Sequence, residues 1–432
     1  MVSTGFVLPE HELRRQLNDE VHSRPPVRLE GAQQVVYLAI RHGPGDRAAH
    51  RDALERFAQA AGSAVAPGVD HAVVALGGGL RFKWEGHAEF ASYTFFAAGE
   101  RDRAPAELLE RAGWPSVAAA LPGEVMVAVS IDLVAFPAAA PPADAFRPQG
   151  DTVVGGAVAE GRGWAYTDFR VRHDGFTRFL LLNREMGLGQ AGRMVQRLLE
   201  IETYRMMALT AFPVARKAAP DLGAMETELA AIVERIAGAT PKDEAKLLDD
   251  LTHLAARVEH LQSATRFRFE AAEAYDAIVM RRLAELREVR IPGLSTLEEF
   301  LHRRLAPAMA TCRSTSRRIA NLAERVSRAS ALLRTRVDIA REQQNQRVLE
   351  AMNRRGRVQL RLQQTVEGLS VVVITYYGVS LVGVLAKAAK AAGVDWNPEV
   401  VMGIAVPFVA AAVFGGVRRV RRALEGDEGN GP

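Results

Sequence analysis

Three short stretches gather residue types that could do chemistry. The first, "NDEVHSRPP", sets Asp19, Glu20, His22 and Arg24 ahead of Pro25 and Pro26. A rigid, extended Pro-Pro segment holds neighbouring side chains in fixed directions, so His22 and Arg24 could face a ligand or another domain. A helix that stops before the prolines, with Arg24 paired to an acid, accounts for the same residues. The second stretch, "WEGHAE", places Trp84, Glu85 and His87, with Glu89, on or beside a turn, where they could form a polar cleft or simply be solvated. The third, "LLEIETYR", places Glu200, Glu202, Tyr204 and Arg205 on a helix. Arg197 with Glu200 and Glu202 with Arg205 are three apart and therefore neighbours, which fits surface pairing. The functional alternative is an acidic site for a regulatory divalent cation at a domain interface.

Other chemistries lack their residues. "VALGGGLRF" is glycine-rich, but no Lys-Ser/Thr follows and no helix opens there, so it reads as a hairpin turn and not as a phosphate loop. His253 and His260 are seven apart, about 10 Å along a helix, too far to share one metal without further ligands. Cys312 is the single cysteine, so neither an intrachain disulfide nor a multi-thiolate site can form. No nucleophile elbow or dinucleotide fingerprint is present. The expectation is a protein without a cofactor that is not an enzyme.

The elements that must position these residues fall into three zones. Residues 1–186 alternate short β-rich runs with Gly, Pro and Asp. Strands are expected at Val35–Ile40, Ala72–Leu76, Leu80–Glu85, Ala91–Phe96, Val125–Val134, Thr152–Val158 and Phe176–Leu182, with a helix over Asp46–Ala61. This pattern predicts an α+β domain with a mainly antiparallel sheet. Residues 187–365 change to long helices. The first stops near Pro213; the second carries Leu247, Leu251, Leu254, Val258 and Leu261 at 4,3,4,3 spacing and ends before Pro292; the third resumes with Ile319, Leu322, Val326 and Ala329. A helical stalk is expected, either an antiparallel hairpin or a coiled coil between subunits, so a homo-oligomer is anticipated. Residues 423–432, "EGDEGNGP" with its two preceding residues, read as a disordered tail.

Between stalk and tail, residues 366–422 predict a two-helix transmembrane hairpin. Leu369–Ala386 and Val400–Val417 are each 18 residues without a charge, about 27 Å of helix against a hydrocarbon layer of about 30 Å. Charge sets the direction. Residues 1–300 carry 34 Lys/Arg against 41 Asp/Glu, whereas 301–361 carry 15 Arg against four acids. Arg354, Arg355, Arg357 and Arg361 precede the first segment, and Arg418, Arg419, Arg421 and Arg422 follow the second. Basic flanks outside a hairpin place both ends in the cytoplasm, and the same arginines suit anionic lipid headgroups. Nucleic acid is the disfavoured partner, because the basic helix lacks aromatic stacking platforms. Within the first segment Tyr376, Tyr377, Gly378, Ser380 and Gly383 supply helix packing or, in an oligomer, the lining of a pore. The N-terminal residues show no basic region followed by a long apolar run, so no secretory signal is expected.

The stretches "LRRQLNDEVHSRPP", "LRFKWEGHAEFASYTFF", "GQAGRMVQRLLEIETYRMMALTAFPVAR" and "SVVVITYYGVSLVGVLAKA" together resemble a bacterial family of membrane-anchored proteins, a domain of unknown function. That resemblance runs over nearly the full length and implies a bacterial inner membrane location, with no catalytic residues. The architecture is also distantly similar to CorA-type magnesium channels, and "VDWNPEV" is similar to their outer loop. Their Gly-Met-Asn signature is absent, and the nearest match, Tyr377-Gly378-Val379-Ser380, lacks the Asn.

Overall fold

The computed structural model describes residues 10–22, 25–66, 68–99, 103–140, 145–148, 150, 152–393 and 396–427. They belong to two compact units, 1–239 with 246–330 and 240–245 with 331–432.

The first unit is built on a nine-stranded sheet in the order β2-β3-β4-β1-β5-β8-β7-β6-β9. Its strands are β1 (Gln33–Arg41), β2 (His71–Gly77), β3 (Leu80–Gly86), β4 (Phe90–Ala98), β5 (Glu124–Ala135), β6 (Val154–Val158), β7 (Gly163–Val171), β8 (Thr177–Asn183) and β9 (Val289–Arg290). Neighbours are antiparallel except β5 and β8, so the expected mainly antiparallel α+β domain is present. The GGG stretch forms the β2–β3 turn, with Gly77, Gly78 and Gly79 all at positive φ, a backbone that glycine adopts without a steric penalty.

Strict alternation along β3 divides the sheet's two faces. Leu80, Phe82 and Trp84 enter an aromatic core with Leu38, Tyr93, Phe95 and Trp114. Helix α2 (Arg47–Ala60) closes that face, burying His50, Leu54 and Phe57. The Phe57 ring meets Phe82 edge-on at 4.9 Å. Burying each such side chain contributes roughly 1.5–3 kcal/mol. His50 donates from Nε2 to the Pro122 carbonyl at 3.0 Å and accepts from the Tyr93 hydroxyl at 2.7 Å. Burial, and then the neighbouring His42, hold its imidazole below the ordinary pKa and therefore neutral.

The opposite face is covered by α5 (Leu188–Leu209), which packs on β5. This helix gives way at Thr210 to α6 (Ala211–Gly238). Pro213 has no N–H to offer the Leu209 carbonyl, which is why the first long helix breaks close to it. Then come α7 (Pro241–Glu285) and α8 (Leu297–Ala391). Arg235 binds Asp250, Arg257 binds Glu228, Arg313 binds Asp276 and Arg318 binds Glu226. The first two run antiparallel between α6 and α7, the third joins α7 to α8, and the fourth joins α6 to α8. Of the expected heptad positions, Leu247, Leu251, Leu254, Val258, Ile319, Leu322, Val326 and Ala329 are buried within one chain, and Leu261 is half-buried.

Glu288 joins β9 to the start of α8. Its carboxylate accepts the backbone N–H groups of Leu297 at 2.9 Å and Glu298 at 3.3 Å, and a Cβ on Gly156 would lie 2.4 Å from it. Burial pushes its pKa up to about 7, and Glu298 and Glu299 add to the rise that the two N–H groups oppose. The raised value means the protonated form favours the fold. That contribution is complete below the unfolded value near 4.5 and is lost as pH rises through about 7. Glu288→Gln should therefore remove a pH-dependent loss of about 3 kcal/mol between these limits, read as urea midpoints at pH 4.5 and 8. Identical pH profiles for the two proteins would contradict it.

In the second unit, α8 carries the first apolar segment and α9 (Pro398–Asp427) the second. Both are long and apolar enough to cross a membrane. A Cβ on Gly378 would lie 2.8 Å from Val409 Cγ1, and one on Gly383 would lie 2.3 Å from Met402 Sδ. The small residues of the first segment thus let the two helices approach closely. Tyr376 and Tyr377 are exposed, their rings 5.7 Å apart, and Ser380 is exposed beside them.

Candidate functional site

The face between the β3-β4-β1 edge and α5 is not closed by apolar packing alone. It holds a cleft of about 230 Å³. From β3 come Lys83 and Glu85, from the following turn His87, from β4 Phe90, Thr94 and Phe96, and from β1 Tyr37. Helix α5 supplies Gly192, Val195, Gln196, Leu199, Glu200, Thr203 and Tyr204, and α7 supplies Arg282. Register explains the polar row: Lys83 pairs with Thr94, and Thr94 pairs with Tyr37, so all three side chains stand on the same face.

Lys83 is 4% exposed, and its Nζ lies 3.0 Å from Glu85 Oε1. Thr203 Oγ1 sits 2.8 Å from the Leu199 carbonyl and 2.9 Å from the Tyr37 hydroxyl. The carbonyl takes the threonine's single proton, so Tyr37 donates to Thr203. Burial first, and then Glu85, push the Tyr37 phenol well above its ordinary range, so it stays protonated. Toward solvent, Glu200 pairs with Arg282 and accepts from Gln196 Nε2 at 2.8 Å. Arg197 does not meet Glu200; it reaches Glu285 at 3.1 Å.

Val27 completes the wall. A Cβ on Gly192 would lie 1.9 Å from the Val27 carbonyl oxygen, so only glycine lets this segment cross α5 so closely. Leu29 N–H donates to the Leu188 carbonyl at 3.1 Å, and Arg81 Nη1 donates to the Arg28 carbonyl at 2.9 Å. The Pro-Pro stretch thus leads into a strap over the site. Arg24 lies outside the described residues; His22 ends α1 (Arg14–His22), and its side chain lies outside them too.

Of the residues singled out in the sequence, Glu85, His87, Glu200 and Tyr204 meet at this cleft from two distant stretches. The His87 ring stacks on Phe90 at 4.2 Å, and Tyr204 stacks on Tyr275 at 5.6 Å. Trp84 does not join them, because its side chain points into the core on the other face. Glu202 and Arg205 pair with each other, at 2.6 Å and 3.0 Å, away from the cleft, and Arg205 lies over the Phe169 ring. Glu89 binds α7 instead. It accepts from Tyr275 at 2.7 Å and from Arg268, and these bonds outweigh the burial that would raise its carboxyl and hold it below its ordinary value.

Lys83, Tyr37 and Arg282 were not singled out from sequence. The alternation of Arg81, Lys83 and Glu85 with apolar neighbours reads as a solvated strand face, and no local signal says that α5 covers it. Among the described residues no group of three or more His, Cys, Asp or Glu is placed to hold a metal ion. The one thiol, on Cys312, is buried, and burial raises its pKa away from the reactive thiolate.

Fold and site together define an α+β domain with a charged, partly apolar cleft, followed in the chain by two candidate membrane-spanning helices. The chain belongs to the DUF3422 family of proteins of unknown function, whose profile matches residues 9–424. No curated protein and no solved structure matches it.

Proposed function

We propose that this protein is a membrane-anchored, self-associating sensor or scaffold of the bacterial inner membrane, with its α+β domain and both chain ends in the cytoplasm. One observation carries the reading: only 11% of the apolar window of α8 and none of that of α9 is buried. Val372, Ile374, Leu381, Leu385, Ile404, Phe408 and Phe414 all stand exposed, a surface that water disfavours and lipid accepts. Orientation follows from Arg354, Arg355, Arg357, Arg361, Arg418 and Arg419, all exposed where anionic headgroups would meet them. Arg421 and Arg422 extend that basic flank in the sequence, their side chains being outside the described residues. Exposed Leu349, Met352, Leu360 and Leu362 on α8 support self-association, and the cleft supports sensing.

A second reading is an oligomeric cation channel of CorA-like design. Its support is the outward position of Tyr376, Tyr377 and Ser380, polar groups that neighbouring subunits or a water-filled pore would have to meet. Mass in detergent and divalent-cation flux into vesicles separate the two. The first reading expects a small oligomer without flux, and a closed ring that conducts would replace it with the second.

A further inference from the structure

We propose that the cleft between β3 and α5 binds a small α-amino acid with an apolar side chain. Lys83 has three donors and is almost wholly buried; its ammonium pairs with Glu85 Oε1 at 3.0 Å and meets no other acceptor among the described residues. The second oxygen of Glu85 likewise has no donor among them. The floor of the cleft therefore presents unfilled positive and negative valences side by side. A ligand of one sign would satisfy one of the pair and face a like charge on the other, at a desolvated position where such repulsion is costly. A ligand with both signs on adjacent atoms meets both. The ammonium and carboxylate of an α-amino acid are attached to one carbon, which matches the adjacency of Glu85 and Lys83.

The walls decide the rest. Phe90, Phe96, Val195 and Leu199 line the cleft, so a side chain lying against them is apolar. At about 230 Å³ the cleft is smaller than drug-sized sites, which start at about 300 Å³, and it suits a ligand of amino-acid size. Arg282 and Glu200 neutralise each other and leave the site without net charge, as a neutral zwitterion requires.

In consequence for signalling, though not in binding, the proposal rests on the sensor reading above. The full chain in detergent is titrated calorimetrically with L-leucine, with 4-methylpentanoate, which lacks the ammonium, and with 3-methylbutylamine, which lacks the carboxylate. Leucine is expected to bind saturably and each analogue about tenfold or more weakly, the loss expected for a charge-assisted hydrogen-bonding partner. Glu85→Gln should weaken leucine by a similar factor while leaving 4-methylpentanoate no weaker. Absence of saturable binding by leucine, or equal binding of the carboxylate analogue, overturns the proposal. The analogues need no variant, so the result stands even if Glu85→Gln fails to fold. Membrane attachment is not read by this titration, so failure here leaves the anchor intact and loss of the anchor leaves binding intact.

Discussion

Trp84→Ala is expected to remove about 3–5 kcal/mol of folding stability, the range for truncating a fully buried large aromatic residue. Trp84 is 0% exposed and shares its core with Phe82, Tyr93 and Leu54. A Cβ on Gly86 would lie 2.8 Å from the Trp84 ring, so the ring is seated on its own strand as well. Little of the cavity can collapse, because the sheet on one side and α2 on the other are both fixed by their own packing. Urea unfolding reads the effect: the midpoint should fall with the slope unchanged. An unchanged midpoint would place Trp84 outside the core and return it to the candidate ligand residues.

The same strand shows how much was legible. Its period of two separates Phe82 and Trp84 from Lys83 and Glu85, and the structure keeps that separation. Which face meets water was not legible, since burial of Lys83 depends on α5, a helix about a hundred residues later in the chain. Seven strands and the Asp46–Ala61 helix could be read from β-rich runs and turn residues. β7 escaped because its pattern is broken by a bulge: the register shifts between Thr167 and Val171, with Phe169 at φ 52°. Thr167 and Asp168 side chains accept the N–H groups of Phe169 and Arg170 there, at 3.1 and 3.2 Å, in place of strand partners. β9 is two residues long and exists only through its pairing with β6, a long-range contact without a local signature. The cleft was half legible. Glu85, His87, Glu200 and Tyr204 stood out by residue type, whereas their convergence depends on sheet order.

The second large effect concerns the apolar segments. Val373 and Leu381 are both exposed on α8, so replacing them removes little packing from the second unit. The ten Leu, Ile and Val of Leu369–Ala386 favour insertion by roughly 3–6 kcal/mol, before the polar residues are subtracted. Each arginine placed near the centre shifts the balance by about 3–4 kcal/mol, so two together reverse its sign. The second segment holds the chain in the same way, so Val373→Arg with Leu381→Arg, combined with Ile404→Arg and Phe408→Arg at exposed positions of α9, should release the chain from membranes while its α+β domain unfolds at the same urea midpoint as before. The most direct test is alkaline carbonate extraction of membranes carrying either chain. The account predicts that the natural chain stays in the membrane pellet and that the chain substituted in both segments moves to the supernatant. Release of the natural chain into the supernatant would contradict the anchor, and with it the proposed function.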